Sequence, residues 1–182
     1  QIKRKFAEKA KQSYGQVDET GHALMPRFGD GLDLLVTGST HDENGFRKTS
    51  DPDTHDKLVR RLKEKITAAT GFPEPKYVGQ SNADLAIISF GSTSRSAEQA
   101  IIDSNNDLTI KGMQLRTLWP FPEKAVMEFS KGVEKLLIPE LSLGQLAREV
   151  ERVVDDSLDV LSLTKIGGGR PIDPREIIES LL

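Results

Sequence analysis

Asp84-Leu-Ala-Ile-Ile-Ser-Phe90-Gly91-Ser92-Thr93 decides the fold of this chain. Its apolar residues run on without alternating. A strand wetted on one face alternates, whereas an unbroken apolar run marks a strand buried on both faces, as in parallel sheets. The run ends on a glycine and two hydroxyl residues, which favour a turn. A helical pattern with Ala97, Ala100 and Ile101 follows.

Reading toward the C-terminus, the same alternation repeats. Met113–Leu118 predicts the next strand, closed by Pro120 and Pro122. Glu123–Lys131 reads as a short helix with Val126, Met127 and Phe129. Residues 133–139 contain a third strand. Ser142–Val154 reads as an amphipathic helix carrying Leu143, Leu146, Val150, Val153 and Val154. Asp159–Leu163 predicts a fourth strand, and Gly167-Gly168-Gly169 a loop. Asp173 is the N-cap of a last helix with Pro174 at its first position and Ile177, Ile178 and Leu181 on its apolar side. Strands alternating with helices of about ten residues imply right-handed βαβ units. The fold class is therefore α/β: a three-layer α/β/α domain with a mainly parallel sheet, over residues 76–182.

Reading toward the N-terminus, Asp51-Pro52-Asp53 opens a helix as N-cap, first position and dipole-compensating acid. Leu58, Leu62 and Ile66, with Val59 beside them, form one apolar stripe among lysines and arginines. Gly71, Phe72 and Pro73 stop the helix, so 51–75 reads as a connecting helix. Residues 1–50 form an irregular arm. Gln1–Gln12 is basic and resembles a helix end, 13–31 is rich in turn formers, Leu32–Val36 suggests a short strand, and His41–Gly45 a polar loop. A loop-rich stretch of this length is expected to be functional or to pack on something else.

Composition narrows the function classes. The chain has 182 residues, with 25 Lys+Arg and 28 Asp+Glu, so its net charge is −3. Duplex binding by phosphate neutralisation calls for a basic chain, which argues against a nucleic-acid partner. Zero cysteines exclude disulfides, thiolate zinc, a cysteine nucleophile and any iron–sulfur cluster ligated from these residues. No apolar run is long enough to span a membrane, and the start lacks the apolar core of a signal peptide. A cytoplasmic location is the expectation. The chain begins without Met and reads as a piece of a longer polypeptide.

Several motifs admit a chemical and a structural reading. Gly91-Ser92-Thr93-Ser94-Arg95 joins a buried strand to a helix start, where Ser92, Thr93 and Arg95 suit an anion; the alternative is plain N-capping by the hydroxyls. The segment matches neither a dinucleotide nor a nucleoside-triphosphate fingerprint. Gly167–Gly169 with Arg170 suits a phosphate cradle or a flexible connection. His41-Asp42-Glu43 sets an imidazole beside two carboxylates, for acid–base work, a metal or, preferably, a subunit contact. Adjacent loop residues do not converge easily on one ion, so no metal is assigned. In Leu115-Arg116-Thr117-Leu118-Trp119-Pro120-Phe121-Pro122, Arg116 and Trp119 suit a partner-binding edge; the alternative is a packed corner. Arg27 is either an anion contact or a solvated arginine. His22 and His55 read as surface residues. No catalytic residue is assigned.

Taken together these strings resemble the alpha subunit of 2-oxoacid:ferredoxin oxidoreductases. Val36-Thr-Gly-Ser-Thr-His-Asp-Glu-Asn-Gly45 with Asp51-Pro-Asp-Thr-His55 is similar to that subunit's "tGlEHdE.G … dp..H" stretch, and "DLAIISFGSTSRSAEQA" from Asp84 to its strand–turn–helix. "LRTLWPFP" from Leu115, "ELSLGQLA" from Glu140 and "GRPIDPREII" from Gly169 follow in the family's order. Met25-Pro-Arg-Phe-Gly matches its arm in part. Ser39-Thr40 and Leu141-Ser142 depart from the usual Leu-Glu and Gln-Asn.

The resemblance implies a transketolase C-terminal-like domain following an absent pyrimidine-binding domain. The implied enzyme is thiamine-diphosphate-dependent and converts 2-oxoacid, coenzyme A and oxidised ferredoxin into acyl-CoA, CO2 and reduced ferredoxin. Its thiamine diphosphate, magnesium and iron–sulfur clusters would be held elsewhere, with none on this segment. The implied partners are a beta subunit, gamma and delta subunits or domains, ferredoxin and CoA. This segment would serve assembly and active-site shaping and be inactive alone. The alternatives are a standalone anion- or CoA-binding or interaction module, and the C-terminal domain of a transketolase or E1-type enzyme.

Overall fold

The computed structural model describes residues 6, 24, 26–32, 38–43, 45–104 and 108–182. Apart from Phe6, the expectations for Gln1–Gln12, and those for His22, Met25 and residues 33–37, lie outside these. The chain divides into two compact units, Gln1–Gly71 and Phe72–Leu182.

In the first unit, helix α1 (Pro52–Thr67) starts as its sequence predicts. The Asp51 carboxylate accepts bonds from the Asp53 N–H at 3.2 Å and the Thr54 hydroxyl at 2.7 Å. The Thr54 bond, more than any other cause, holds the Asp51 carboxyl below its ordinary range. The expected apolar stripe exists but is not covered: Val59, Leu62 and Ile66 are exposed, and no residue of α1 is buried.

The second unit is a five-stranded sheet with helices on both faces. Its strands are β1 (Lys76–Gly79), β2 (Leu85–Phe90), β3 (Ile110–Leu115), β4 (Lys135–Glu140) and β5 (Asp159–Thr164). Its helices are α2 (Thr93–Asp103), α3 (Glu123–Ser130), α4 (Gln145–Glu151) and α5 (Pro174–Leu181). The strand order is β1-β3-β2-β4-β5. β2, β3, β4 and β5 are parallel, and β1 pairs antiparallel with β3.

The side-chain period of two splits each central strand between two cores. Ala86, Ile88, Met113, Leu115, Leu136 and Ile138 pack under α3 and α4 with Val126, Phe129, Leu146 and Val150. Ile87, Ile110 and Leu137 face the other way, against Ala97, Ala100 and Ile101 of α2 and Ile177 and Leu181 of α5. β2 contributes to both cores, as its continuous apolar run requires.

Three expectations need correction. β1 was not foreseen, because four residues that follow a proline and end on a glycine carry no usable period. β3 starts at Ile110, three residues before its expected start, with Lys111 and Gly112 inside it. Gly112 belongs there because α2 comes close: a Cβ would meet Ile101 Cδ1 at 2.5 Å and Val78 Cγ2 at 2.7 Å. α4 is shorter than Ser142–Val154. The residue before it, Gly144, has φ of 81°, a left-handed conformation open to glycine, so the helix begins only after a turn.

Candidate functional site: the carboxyl edge of the sheet

The parallel strands all end on one edge, and the loops leaving that edge hold most of the residues singled out above. β2 leads through Gly91-Ser92 to α2 on one face, whereas the neighbouring β4 leads through residues 141–144 to α4 on the other. Adjacent strands whose connections diverge leave a crevice outside their carboxyl ends, the usual ligand position of an open α/β sheet. Such a crevice is present. Its volume is about 460 Å³, and it is lined by Ser92, Leu141, Lys165, Gly167–Gly169, Arg170 and Pro171.

Behind the crevice lies Glu140, the last residue of β4, with no exposed surface. One carboxylate oxygen accepts the Ser142 hydroxyl and the Leu146 N–H at 3.2 Å; the other accepts the Ala147 N–H at 3.0 Å. A buried carboxylate needs such donors, and the first N–H groups of a helix need an acceptor. Glu140 therefore fixes the start of α4 and the 141–144 loop. Sequence reasoning did not see this role. Its signal was an acid at a strand end a few residues ahead of a helix.

The β2–α2 turn departs from the capping reading. Ser92 is exposed, but its hydroxyl makes no capping bond to α2. Thr93 and Ser94 are buried, and the Ser89 hydroxyl donates to Ser94 Oγ at 3.1 Å. Thr93 is thus turned from solvent, which leaves Ser92 and Arg95 as the accessible members of that set. Lys165 is engaged by Glu176, at 2.7 Å, and this bond holds the Glu176 carboxyl below its ordinary value. Glu176 also accepts the Asp173 N–H, while Asp173 caps α5, completing a capping box.

Between β3 and α3, Arg116 is exposed and Trp119 is 68% exposed. The described residues thus leave the tryptophan uncovered, with no helix packed over it.

In the first unit, His41, Asp42 and Glu43 lie on a tight turn. An antiparallel bridge joins His41 to Arg47, and the Asp42 N–H donates to Phe46 O at 2.9 Å. The Ser39 carbonyl lies 2.9 Å from His41 Nδ1. A carbonyl only accepts, so Nδ1 carries the proton. The three residues line a pocket of about 330 Å³ with Lys48, Lys57 and Arg61. Exposed His55 shares a hydrogen bond with the Thr40 hydroxyl at 2.9 Å. Arg27 is exposed to solvent, as one of its two readings has it. It pairs with Asp30 at 3.1 Å, and its guanidinium lies 5.0 Å from the Phe6 ring centroid.

The family model for pyruvate:ferredoxin oxidoreductase core domain II matches residues 83–177, which hold β2 to β5 and the carboxyl-edge loops. The chain belongs to this family. The 2-oxoglutarate synthase subunit KorA of Methanothermobacter marburgensis is 40% identical over 146 residues, covering 79% of this chain and 39% of the relative. Its counterpart in Methanothermobacter thermautotrophicus is 38% identical over 166 residues, covering 90% of this chain and 44% of the relative. The chain thus spans about two fifths of the length of these curated relatives. Among solved structures, a 2-oxoglutarate:ferredoxin oxidoreductase from Magnetococcus marinus matches 98% of this chain and 32% of its own, with TM-score 0.72 and 23% identity. A split-gene transketolase matches 59% of this chain, with TM-score 0.51 and 13% identity. Both structural likenesses are of fold, and they bear out the α/β reading.

The residues present supply no thiolate for the iron–sulfur clusters that the resemblance implies for the complete enzyme. The chain has no cysteine, and among the described residues no three His, Cys, Asp or Glu side chains gather to hold a metal. No helix of the described residues is long and apolar enough to cross a membrane.

Proposed function

We propose that this chain is part of the alpha subunit of a thiamine-diphosphate-dependent 2-oxoacid:ferredoxin oxidoreductase, and that it serves assembly and the shaping of the active-site entrance. The enzyme would convert a 2-oxoacid, coenzyme A and oxidised ferredoxin into acyl-CoA, CO2 and reduced ferredoxin. The supporting observation is the match of residues 83–177 to core domain II, joined to 40% identity with a 2-oxoglutarate synthase subunit. Because the curated relatives quoted are 2-oxoglutarate synthase subunits, 2-oxoglutarate is the first substrate to test. Within the complex, the turn carrying His41, Asp42 and Glu43 contacts a neighbouring subunit, and Arg27 faces an anionic group.

The test is purification of the complete alpha polypeptide with its companion subunits, followed by dye reduction dependent on 2-oxoacid and coenzyme A. Activity with 2-oxoglutarate is expected, and its absence with every 2-oxoacid tried would overturn the reading. Calorimetry of this chain with thiamine diphosphate and magnesium should show no tight binding. Stoichiometric binding would contradict the assignment of the cofactor to other parts of the enzyme.

A further inference from the structure

The carboxyl edge carries an uncovered apolar surface with an unbalanced charge. Leu118 and Trp119 lie after β3, Leu141 and Leu143 after β4, and Ile166 after β5. Their exposures are 42%, 68%, 44%, 66% and 62%. β3 and β5 are three strand spacings apart, or about 14 Å at the usual separation, so one partner surface can reach all three loops. Large exposed apolar groups concentrated at one edge mark an interaction site.

The charges around them are one-sided. Arg95, Arg116, Lys124 and Arg170 make no side-chain hydrogen bond or ion pair among the described residues. The carboxylates of the same loops and helix starts are engaged: Glu123 by Arg152, Glu140 by three donors, Asp173 by the Arg175 N–H and Glu176 by Lys165. The edge therefore offers apolar surface bordered by unanswered cations. A second copy placed on it about a two-fold axis would set those cations against one another, so it is a poor occupant.

We infer that this edge docks another subunit of the oxidoreductase through an apolar surface bordered by carboxylates. Exposed tryptophan and arginine are the residues that most often dominate such contacts. The inference rests on the reading given under Proposed function, and the experiment separates the two.

The complete alpha polypeptide is titrated with its companion subunits by sedimentation, and hydrogen exchange is followed in residues 116–122, 141–144 and 165–171. Protection of these loops is expected on association. Trp119→Ala, Leu143→Asp and Arg116→Glu should each raise Kd at least tenfold, and added salt should weaken the wild type more than Arg116→Glu. Since these side chains are exposed, the melting temperature of the free subunit should not move, which separates lost docking from lost folding. Wild-type affinity in all three variants, with an active complex, would overturn the docking surface alone. Failure of the wild type to assemble or to reduce dye would overturn both readings. Protection of the same loops by coenzyme A alone would overturn the inference in favour of a nucleotide site. Self-association of the alpha polypeptide abolished by Trp119→Ala would overturn it in favour of a second copy.

Discussion

Among the described residues of the second unit, Glu140 and Lys111 are the buried charged side chains, and they are held differently. The Glu140 carboxylate meets three donors, two of them backbone N–H groups. Glu140→Ala leaves those donors buried without an acceptor, each costing about 1–3 kcal/mol. A loss of roughly 2–4 kcal/mol in urea unfolding is expected, and a loss below about 0.5 kcal/mol would show that water replaces the carboxylate. Lys111 has poorer company: its ammonium donates to the Lys131 carbonyl at 3.2 Å and lies 5.2 Å from the Phe129 ring centroid. Desolvation pushes its pKa below 10.5, against a smaller opposing pull from Asp84. The folded state therefore gives up this proton more readily than the unfolded chain. Across the window between the lowered value and 10.5, the unfolded chain binds more protons, so stability rises with pH. Urea titrations across that alkaline range should show the rise in the wild type and not in Lys111→Met; matching slopes would reject it.

At the scale of elements, Gly112 sets how closely α2 approaches the sheet. Gly112→Ala puts a Cβ against Ile101 and Val78 at less than van der Waals separation. Overpacking of this kind costs about 1–3 kcal/mol. Calorimetry should show a lower melting temperature, and Ile101→Val beside the alanine should recover part of the loss; an unchanged transition would mean that α2 gives way freely. The elements also show what sequence alone reveals. β2 was legible because burial on both faces leaves a plain mark, a continuous apolar run. α1 and α5 were legible because Asp51-Pro52 and Asp173-Pro174 announce their starts. β1 was not, since an edge strand of four residues owes its conformation to β3. Within the site, exposed Arg116 and Trp119 stood out by residue type. Glu140 did not, because its task depends on a loop that folds back over it. The stripe on α1 was correctly placed on one face, but amphipathicity does not reveal what covers that face.

At the scale of the molecule, both apolar cores lie within Phe72–Leu182. That unit holds everything a small α/β domain needs to fold by itself. Expressed alone, residues 72–182 should unfold in a single cooperative transition by circular dichroism and fluorescence. A broad transition, or one that differs between the two probes, would show that residues 1–71 complete it.

None of the buried core residues comes from 116–122, 141–144 or 165–171. Replacing those segments therefore removes little of what keeps the layers together. Substitutions on the rim should therefore register in what the molecule meets rather than in whether it folds.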